Sequence, residues 1–281
     1  MYPAPPLAGS PPRFIEAPIY RSAVGEISVR FDILYLVSCI LYYYTIVSSP
    51  DNISSKQTGV LLLFSGGMDS IAAVILLSRD FDRIHLLTCR TPYILGCRAF
   101  TAARVEDLKA VLHQTEISQK FADIFATFRK LAPLNAAVDA RSSMLICTAC
   151  KTAMHLKAIE ICRREGLDYA SSGIGVREQR NFPDQLPDLE SRVNALYAAA
   201  GIKRISPLKK LTKAEVRSLL VSLNLFPRFR IPWCPMKHFQ ELWWFFFGFP
   251  KDERILEWYD AKLPVLKRII SDTGNKIQDT G

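Results

Sequence analysis

The stretch VLLLFSGGMDSIAAVILL (residues 60–77) decides the fold. Residues 60–64 form an uninterrupted apolar run of strand length, as expected of a strand buried on both faces. SGGMDS ends the run, and an apolar segment that reads as a helix over 70–78 begins at once. Gly66 and Gly67 let the backbone turn tightly and let a ligand approach without a Cβ in the way. The first amides of the helix lack intrahelical partners and lie at the positive end of its dipole. Ser65 and Ser70 add hydroxyl donors, so the turn reads as an anion site suited to phosphate. Asp69 would repel phosphate unless a cation intervenes. A Mg²⁺ bridging the carboxylate and pyrophosphate oxygens is the economical account. Neither a GxxxxGK[ST] loop nor a GxGxxG fingerprint is present. The plain alternative is a Gly-rich turn with a capping Ser or Asp.

Downstream, strand-like and helix-like segments alternate. Residues 83–89 (RIHLLTC) read as a strand and 102–113 as an amphipathic helix, while 120–128 fits either a strand or a short helix. A long helical pattern covers 144–165. Residues 167–171 are strand-like and 190–200 helical, and 212–223 opens on TKAE, a capping box with Thr212 at the N-cap and Glu215 at N3. This alternation predicts an α/β fold, a Rossmann-like, doubly wound parallel sheet. Ligands in such sheets bind at the carboxyl ends of the strands, where SGGMDS falls.

The whole chain has 281 residues, 49% of them hydrophobic, with a formal net charge of +9. It is too apolar for a disordered chain. Its charge suits a polyanionic partner such as RNA, or simply a solvated basic surface. Three units are expected: an N-terminal extension over 1–58, a nucleotide domain over 59–240, and an aromatic, helical C-terminal extension over 241–281. The apolar segment 31–47 holds about 15 apolar residues after Asp32, short of the roughly 20 that span a bilayer. It is expected to pack on the domain rather than enter a membrane.

Seven cysteines, an odd number in a long chain, argue against a disulfide framework and for a reducing, cytoplasmic setting. LICTACKTAMH places Cys147 and Cys150 one turn apart at a helix start, where the dipole favours thiolates. Cys234 lies downstream in RIPWCPMKH, its backbone fixed by Pro232 and Pro235. The trio admits four readings. They are an iron–sulfur cluster with one open iron, a structural Zn²⁺ with His238 as fourth ligand, a persulfide on Cys147 or Cys150 with Cys234 as disulfide partner, and plain burial. Cys89, Cys97 and Cys162 have no patterned partner and read as structural. His155 reads as a surface or packed histidine rather than a ligand.

FSGGMDS after a hydrophobic strand resembles the PP-loop signature, SGGxDS, of the N-type ATP pyrophosphatases. The resemblance implies ATP cleavage between the α- and β-phosphates, with adenylation of a substrate oxygen. It implies that Ser65, Gly66, Gly67, Asp69 and Ser70 hold the pyrophosphate with Mg²⁺, and that the strand end near Thr88 lies by the adenine. A PP-loop, then CxxC on a helix, then one late cysteine is similar to the cluster-dependent tRNA sulfurtransferases. That order would make Cys147, Cys150 and Cys234 the metal ligands, with Asp69, Cys147 and Cys234 carrying the chemistry. RISPLKKLTKAEVRSLL (204–220) resembles the segment before the last cysteine of those proteins. Where they often carry GHxxDD, this chain reads SSGIGVREQRNFPDQ (171–185). In it Arg177 and Arg180 are candidate phosphate contacts and Asp184 and Gln185 candidate substrate or metal contacts. Lys209, Lys210 and Lys213 are candidates for an RNA backbone, for the β/γ-phosphates, or for solvent.

The expected activity is ATP-dependent adenylation of a carbonyl oxygen followed by sulfur transfer. The expected partners are ATP, a tRNA or small-molecule acceptor, a sulfur-donor protein and a second copy of the chain. One rival is amidation and nitrile formation with structural Zn²⁺, as in the 7-cyano-7-deazaguanine synthases, whose pattern has three cysteines in a tight C-terminal cluster. The other is a non-catalytic nucleotide- or RNA-binding module, for which an intact Asp69 is superfluous.

Overall fold

Five strands make one sheet in the computed structural model, which describes residues 59–91, 97–132, 145–173, 186–225, 245 and 252–278. The strands are β1 (Val60–Leu63), β2 (Arg83–Arg90), β3 (Glu116–Asp123), β4 (Tyr169–Ser172) and β5 (Lys203–Ile205). Their order is β3-β2-β1-β4-β5, and every neighbouring pair is parallel. Seven helices are described: α1 (Met68–Leu77), α2 (Cys97–Lys109), α3 (Phe125–Leu131), α4 (Ile146–Glu165), α5 (Pro187–Ala199), α6 (Lys213–Ser222) and α7 (Asp252–Gln278).

The two faces of the sheet follow from the alternation of β side chains. Val60 and Leu62 point into one core with Ile84, Leu86 and residues of α1, α2 and α6. Leu61 points into the other with Leu87, Ala170 and residues of α3, α4, α5 and α7. The result is helices on both sides of a parallel sheet, the doubly wound architecture expected from the alternation of segments. The chain turns from one half of the sheet to the other between β1 and β4, so their carboxyl ends flank the topological switch point, where such sheets bind ligands.

Most elements stand where the hydrophobic pattern puts them, with two differences. Helix α2 starts at Cys97, earlier than residue 102. The ambiguous 120–128 segment is both alternatives in succession, because β3 runs to Asp123 and α3 begins at Phe125. Asp123 sets that junction by accepting the Phe125 amide at 2.7 Å. The C-terminal helix docks on the core. Ile255, Tyr259, Leu266 and Ile270 are buried at helical spacing, Arg163 Nη1 donates to the Ile270 carbonyl at 2.6 Å, and Arg192 grips Asp260 through two bonds of 2.8 Å. The TKAE capping box of α6 is present in both directions. No helix among the described residues is long and apolar enough to cross a membrane. The 31–47 segment and the N-terminal extension lie outside the described residues.

Candidate functional site

The loop between β1 and α1 sits at this switch point. Helix α1 is buried on nearly all sides, from Ser70 to Leu77, which explains why apolar runs flank the polar turn on both sides. Its N-cap is Gly67, in extended geometry, which has no side chain to cap the helix. The first amides of α1, like those of any helix, lack an intrahelical acceptor. Gly66 adopts φ +73°, a left-handed conformation that favours glycine, and a Cβ there would sit 2.9 Å from Cε1 of Phe100 in α2.

The serines shape this turn. Ser70 donates its hydroxyl to the Gly67 carbonyl at 2.9 Å, Ser65 Oγ lies 3.3 Å from Ser70 Oγ, and the Gly67 amide donates to Ser65 Oγ at 3.3 Å. Ser65 is exposed and Ser70 buried, so the pair runs from the mouth of the turn to its floor. Asp69 is half-buried in the first turn of α1. An exposed hydroxyl, uncapped amides and a neighbouring carboxylate fit a metal-bound pyrophosphate: the amides would take oxygens and Asp69 the Mg²⁺.

Thr88, expected near the adenine, is buried at the carboxyl end of β2. It donates to the Phe64 carbonyl at 3.1 Å and accepts from Gln119 Nε2 at 3.0 Å. Gln119 also donates to Thr101 Oγ1 at 3.0 Å. Thr88 thus braces the last residue before the loop. Gln119 was not among the residues the sequence singles out, because a polar residue in a polar strand carries no local signal.

Gly173 was missed as well. It follows β4, and a Cβ on it would lie 2.9 Å from the Ser70 nitrogen and 3.0 Å from the Asp69 carbonyl carbon. The end of β4 therefore packs directly on the backbone of the loop helix. The glycine after the strand-like YASS is its only trace in the sequence.

Cys147 and Cys150 occupy the first turns of α4, half-buried and not disulfide-bonded. Cys150 lies close enough to Cys89, at the carboxyl end of β2, to help push that thiol up to about 12, though burial is the larger cause. The CxxC pair is therefore at the same edge of the sheet as the loop, on the opposite face from α1. Cys162 is likewise pushed to about 12 by burial and then by Glu165. Cys89 and Cys162 stay protonated and behave as core residues. Cys97 is the first residue of α2.

Two thiols one turn apart are a soft but incomplete donor set, and among the described residues no three His, Cys, Asp or Glu side chains gather to hold a metal. Cys234 and His238, which would complete it, lie outside the described residues, as do Arg177, Arg180, Asp184 and Gln185. His155 is packed, with Nδ1 3.0 Å from the Tyr197 hydroxyl. Lys209, Lys210 and Lys213 are exposed beyond β5. A cleft of about 390 Å³ between edge strand β3 and α4 contains none of the loop residues. Its cations are paired, Lys120 and Arg164 with Glu165 and Lys157 with Glu160.

No family model and no curated protein matches the chain. Solved structures do. A predicted subunit of tRNA methyltransferase from Methanocaldococcus jannaschii is 21% identical over 59% of this chain and 76% of its own, with a TM-score of 0.40. The U34-tRNA thiolase NcsA from Methanococcus maripaludis, with its 4Fe-4S cluster, is 15% identical over 87% of this chain and 80% of its own, at 0.45. A 4-thiouridine synthetase in complex with RNA and bound ATP is 16% identical over 78% of this chain and 53% of its own, at 0.47. With these TM-scores below 0.5 the likenesses carry no argument about chemistry, and the cluster, RNA and ATP are those proteins' own. The strand order and the all-parallel pairing give this chain a Rossmann-like fold, with SGGMDS at its β1–α1 turn.

Proposed function

We propose that the chain is an ATP-dependent PP-loop enzyme that adenylates a carbonyl oxygen, releases pyrophosphate and then transfers sulfur to the activated carbon. The acceptor is a tRNA base or a related small molecule. The observation that carries this reading is the uncapped, glycine-bent SGGMDS turn at the switch point of a parallel sheet. Its amides and the Ser65 and Ser70 hydroxyls bind and orient the leaving pyrophosphate. A Mg²⁺ held by Asp69 would neutralise the charge that grows on it. Rigid amides need no reorganisation as that charge develops, which is what makes such a cradle catalytic rather than merely adhesive.

The CxxC pair supports the second half of the reading. Cys147 and Cys150 lie in the first turns of α4, near the carboxyl end of β2 and on the side of the sheet opposite α1, so an acceptor at that end of the sheet would lie between the loop and the thiols. Cys147, Cys150 and Cys234 would hold an iron–sulfur cluster, and such a cluster supplies an open iron for substrate sulfur. Zn²⁺ at the same cysteines, with adenylation leading to amidation, is the second reading.

One measurement tests the ATP site that both readings share, and a second separates them. Asp69→Asn is expected to abolish ATP-dependent pyrophosphate release, and release at the wild-type rate sinks the ATP site. Anaerobic purification with iron, sulfide and zinc analysis tests the centre. Iron with sulfide and absorption near roughly 400 nm supports the cluster, whereas zinc alone moves the assignment to the amidating reading.

A further inference from the structure

The two edges of the sheet are unequal. β5 closes one edge with three residues, whereas β3 runs for eight along the other. Proteins blunt exposed edges with short strands, proline, bulges or charge. EISQKFAD holds neither proline nor glycine, and all eight residues keep register with β2, so no bulge interrupts it. Its charges are Glu116, Lys120 and Asp123.

The main chain of this edge is presented outward. The Glu116 amide donates to the Asp82 carbonyl at 2.8 Å, and the Ile124 amide to the Arg90 carbonyl at 3.1 Å. Even-numbered residues therefore spend their main-chain groups on β2, and Ile117, Gln119, Phe121 and Asp123 turn theirs away from it. Among the described residues no strand takes them up. The cleft of about 390 Å³ runs along this edge, lined by residues 120–123 and by Lys157, Ile161 and Arg164 of α4. Successive side chains point to opposite faces of a sheet, so four consecutive residues line one cleft by exposing the main chain between them.

Charge decides what fits there. An antiparallel second β3 must set odd-numbered residues against odd-numbered ones for these outward groups to bond. Of the registers that do so, the one centred on Ser118 sets Glu116 against Lys120 twice, once in each direction. Centring on Lys120 sets lysine against lysine, and centring on Ile117, Gln119 or Phe121 pairs no opposite charges. Lys120 points to the α4 face, where it bonds Glu165 at 2.6 Å, and Glu116 shares that face by alternation. An ammonium so engaged has two donors left. Facing residues of such a non-hydrogen-bonded pair stand about 4.5 Å apart at Cα, within reach of an ion pair.

We infer that the β3 edge is a self-complementary interface, where a second copy of this chain pairs antiparallel about Ser118 through reciprocal Glu116–Lys120 contacts. The two sheets join into one of twice five strands. Their carboxyl ends, each with its SGGMDS loop, face opposite ways. Each β3 edge is consumed by the other, so the assembly closes at two copies. The inference stands independently of the ATP reading.

Sedimentation equilibrium of the full chain tests it. A species of twice the 31.7 kDa chain mass should appear and grow with concentration. Glu116→Lys alone and Lys120→Glu alone each turn two attractions into two repulsions, and each should weaken the dimer about tenfold or more. An equimolar mixture of these two variants restores opposite charges at both contacts, so it should dimerise about as tightly as the wild type. The double variant should do the same. Loss of the Lys120–Glu165 bridge, or of stability, cannot produce that rescue. A wild type that stays monomeric up to about 0.1 mM overturns the inference. So does a dimer that neither single change weakens, or a mixture no tighter than its components.

Discussion

Gly66 is where backbone conformation and packing meet most sharply. Its φ of +73° costs a residue with a Cβ roughly 1–2 kcal/mol, and the same Cβ would meet Phe100 of α2 at 2.9 Å. Gly66→Ala is expected to lower stability by at least that amount in urea unfolding, and to loosen Mg²⁺·ATP. Adding Phe100→Leu should recover the steric part and leave the conformational part. Full recovery would mean that the left-handed turn is not required. His155 gives a pH signature. Burial first, then the charges of Arg204 and Lys151, hold its pKa well below 6.5. The unfolded chain then binds a proton below about pH 6.5 that the folded chain refuses. Its contribution to stability is intact above that value and lost as the pH falls, at up to about 1.4 kcal/mol per unit. His85, also depressed chiefly by burial, adds to the same slope. His155→Gln should flatten the acid limb of stability against pH by about one proton, and an unchanged slope would show that His155 is protonated in the fold.

At the scale of elements, legibility followed hydrophobic contrast. β1 and α1 were readable because both are almost wholly buried, and α6 because Thr212 and Glu215 satisfy each other locally, within one turn. β3 was not, since EISQKFAD is an edge strand whose one fully buried residue is Ile117. Its strand character comes from pairing with β2 along its whole length, a long-range fact with no local trace. The candidate site divides in the same way. The loop residues were legible because glycines, serines and an aspartate in that order have few other uses. Gln119 and Gly173 meet the loop and its support only through neighbours distant in the chain. α7 shows how a docked element can carry a local mismatch. Tyr259 is completely buried and its hydroxyl has no partner among the described residues. A buried unsatisfied hydroxyl costs about 1–3 kcal/mol. Tyr259→Phe keeps the ring and removes that group, so it should leave stability unchanged or raise it, read as the urea midpoint. A loss above about 1 kcal/mol would reveal an acceptor such as a buried water.

For the molecule as a whole, the two faces of the sheet divide the proposed labour, with the phosphate cradle on the α1 side and the thiols on the α4 side. The acceptor must reach the carboxyl edge between them, and the +9 charge bears on what that acceptor is. Lys209 and Lys210 are exposed on the connection from β5 to α6, which leaves the carboxyl end of a parallel strand, and Lys213 is exposed as the first residue of α6. The N-terminus of α6 is already closed by its capping box, so these side chains, and not the helix amides, are the groups available to a phosphate there. If the acceptor is a tRNA, its backbone crosses this lysine cluster, and binding releases counterions. The logarithm of the association constant should then fall linearly with the logarithm of salt concentration, by about 0.7 to 0.9 for each phosphate neutralised. Replacing all three lysines by alanine should reduce that slope by two to three phosphate equivalents, about 1.4 to 2.7, while Mg²⁺·ATP affinity stays as in the wild type. Filter binding of unmodified tRNA between roughly 50 and 200 mM salt reads the slope directly. A flat response in the wild type would remove RNA as the acceptor and leave a small molecule. A steep slope that ignores the lysines would keep RNA but move its path to another basic part of the chain.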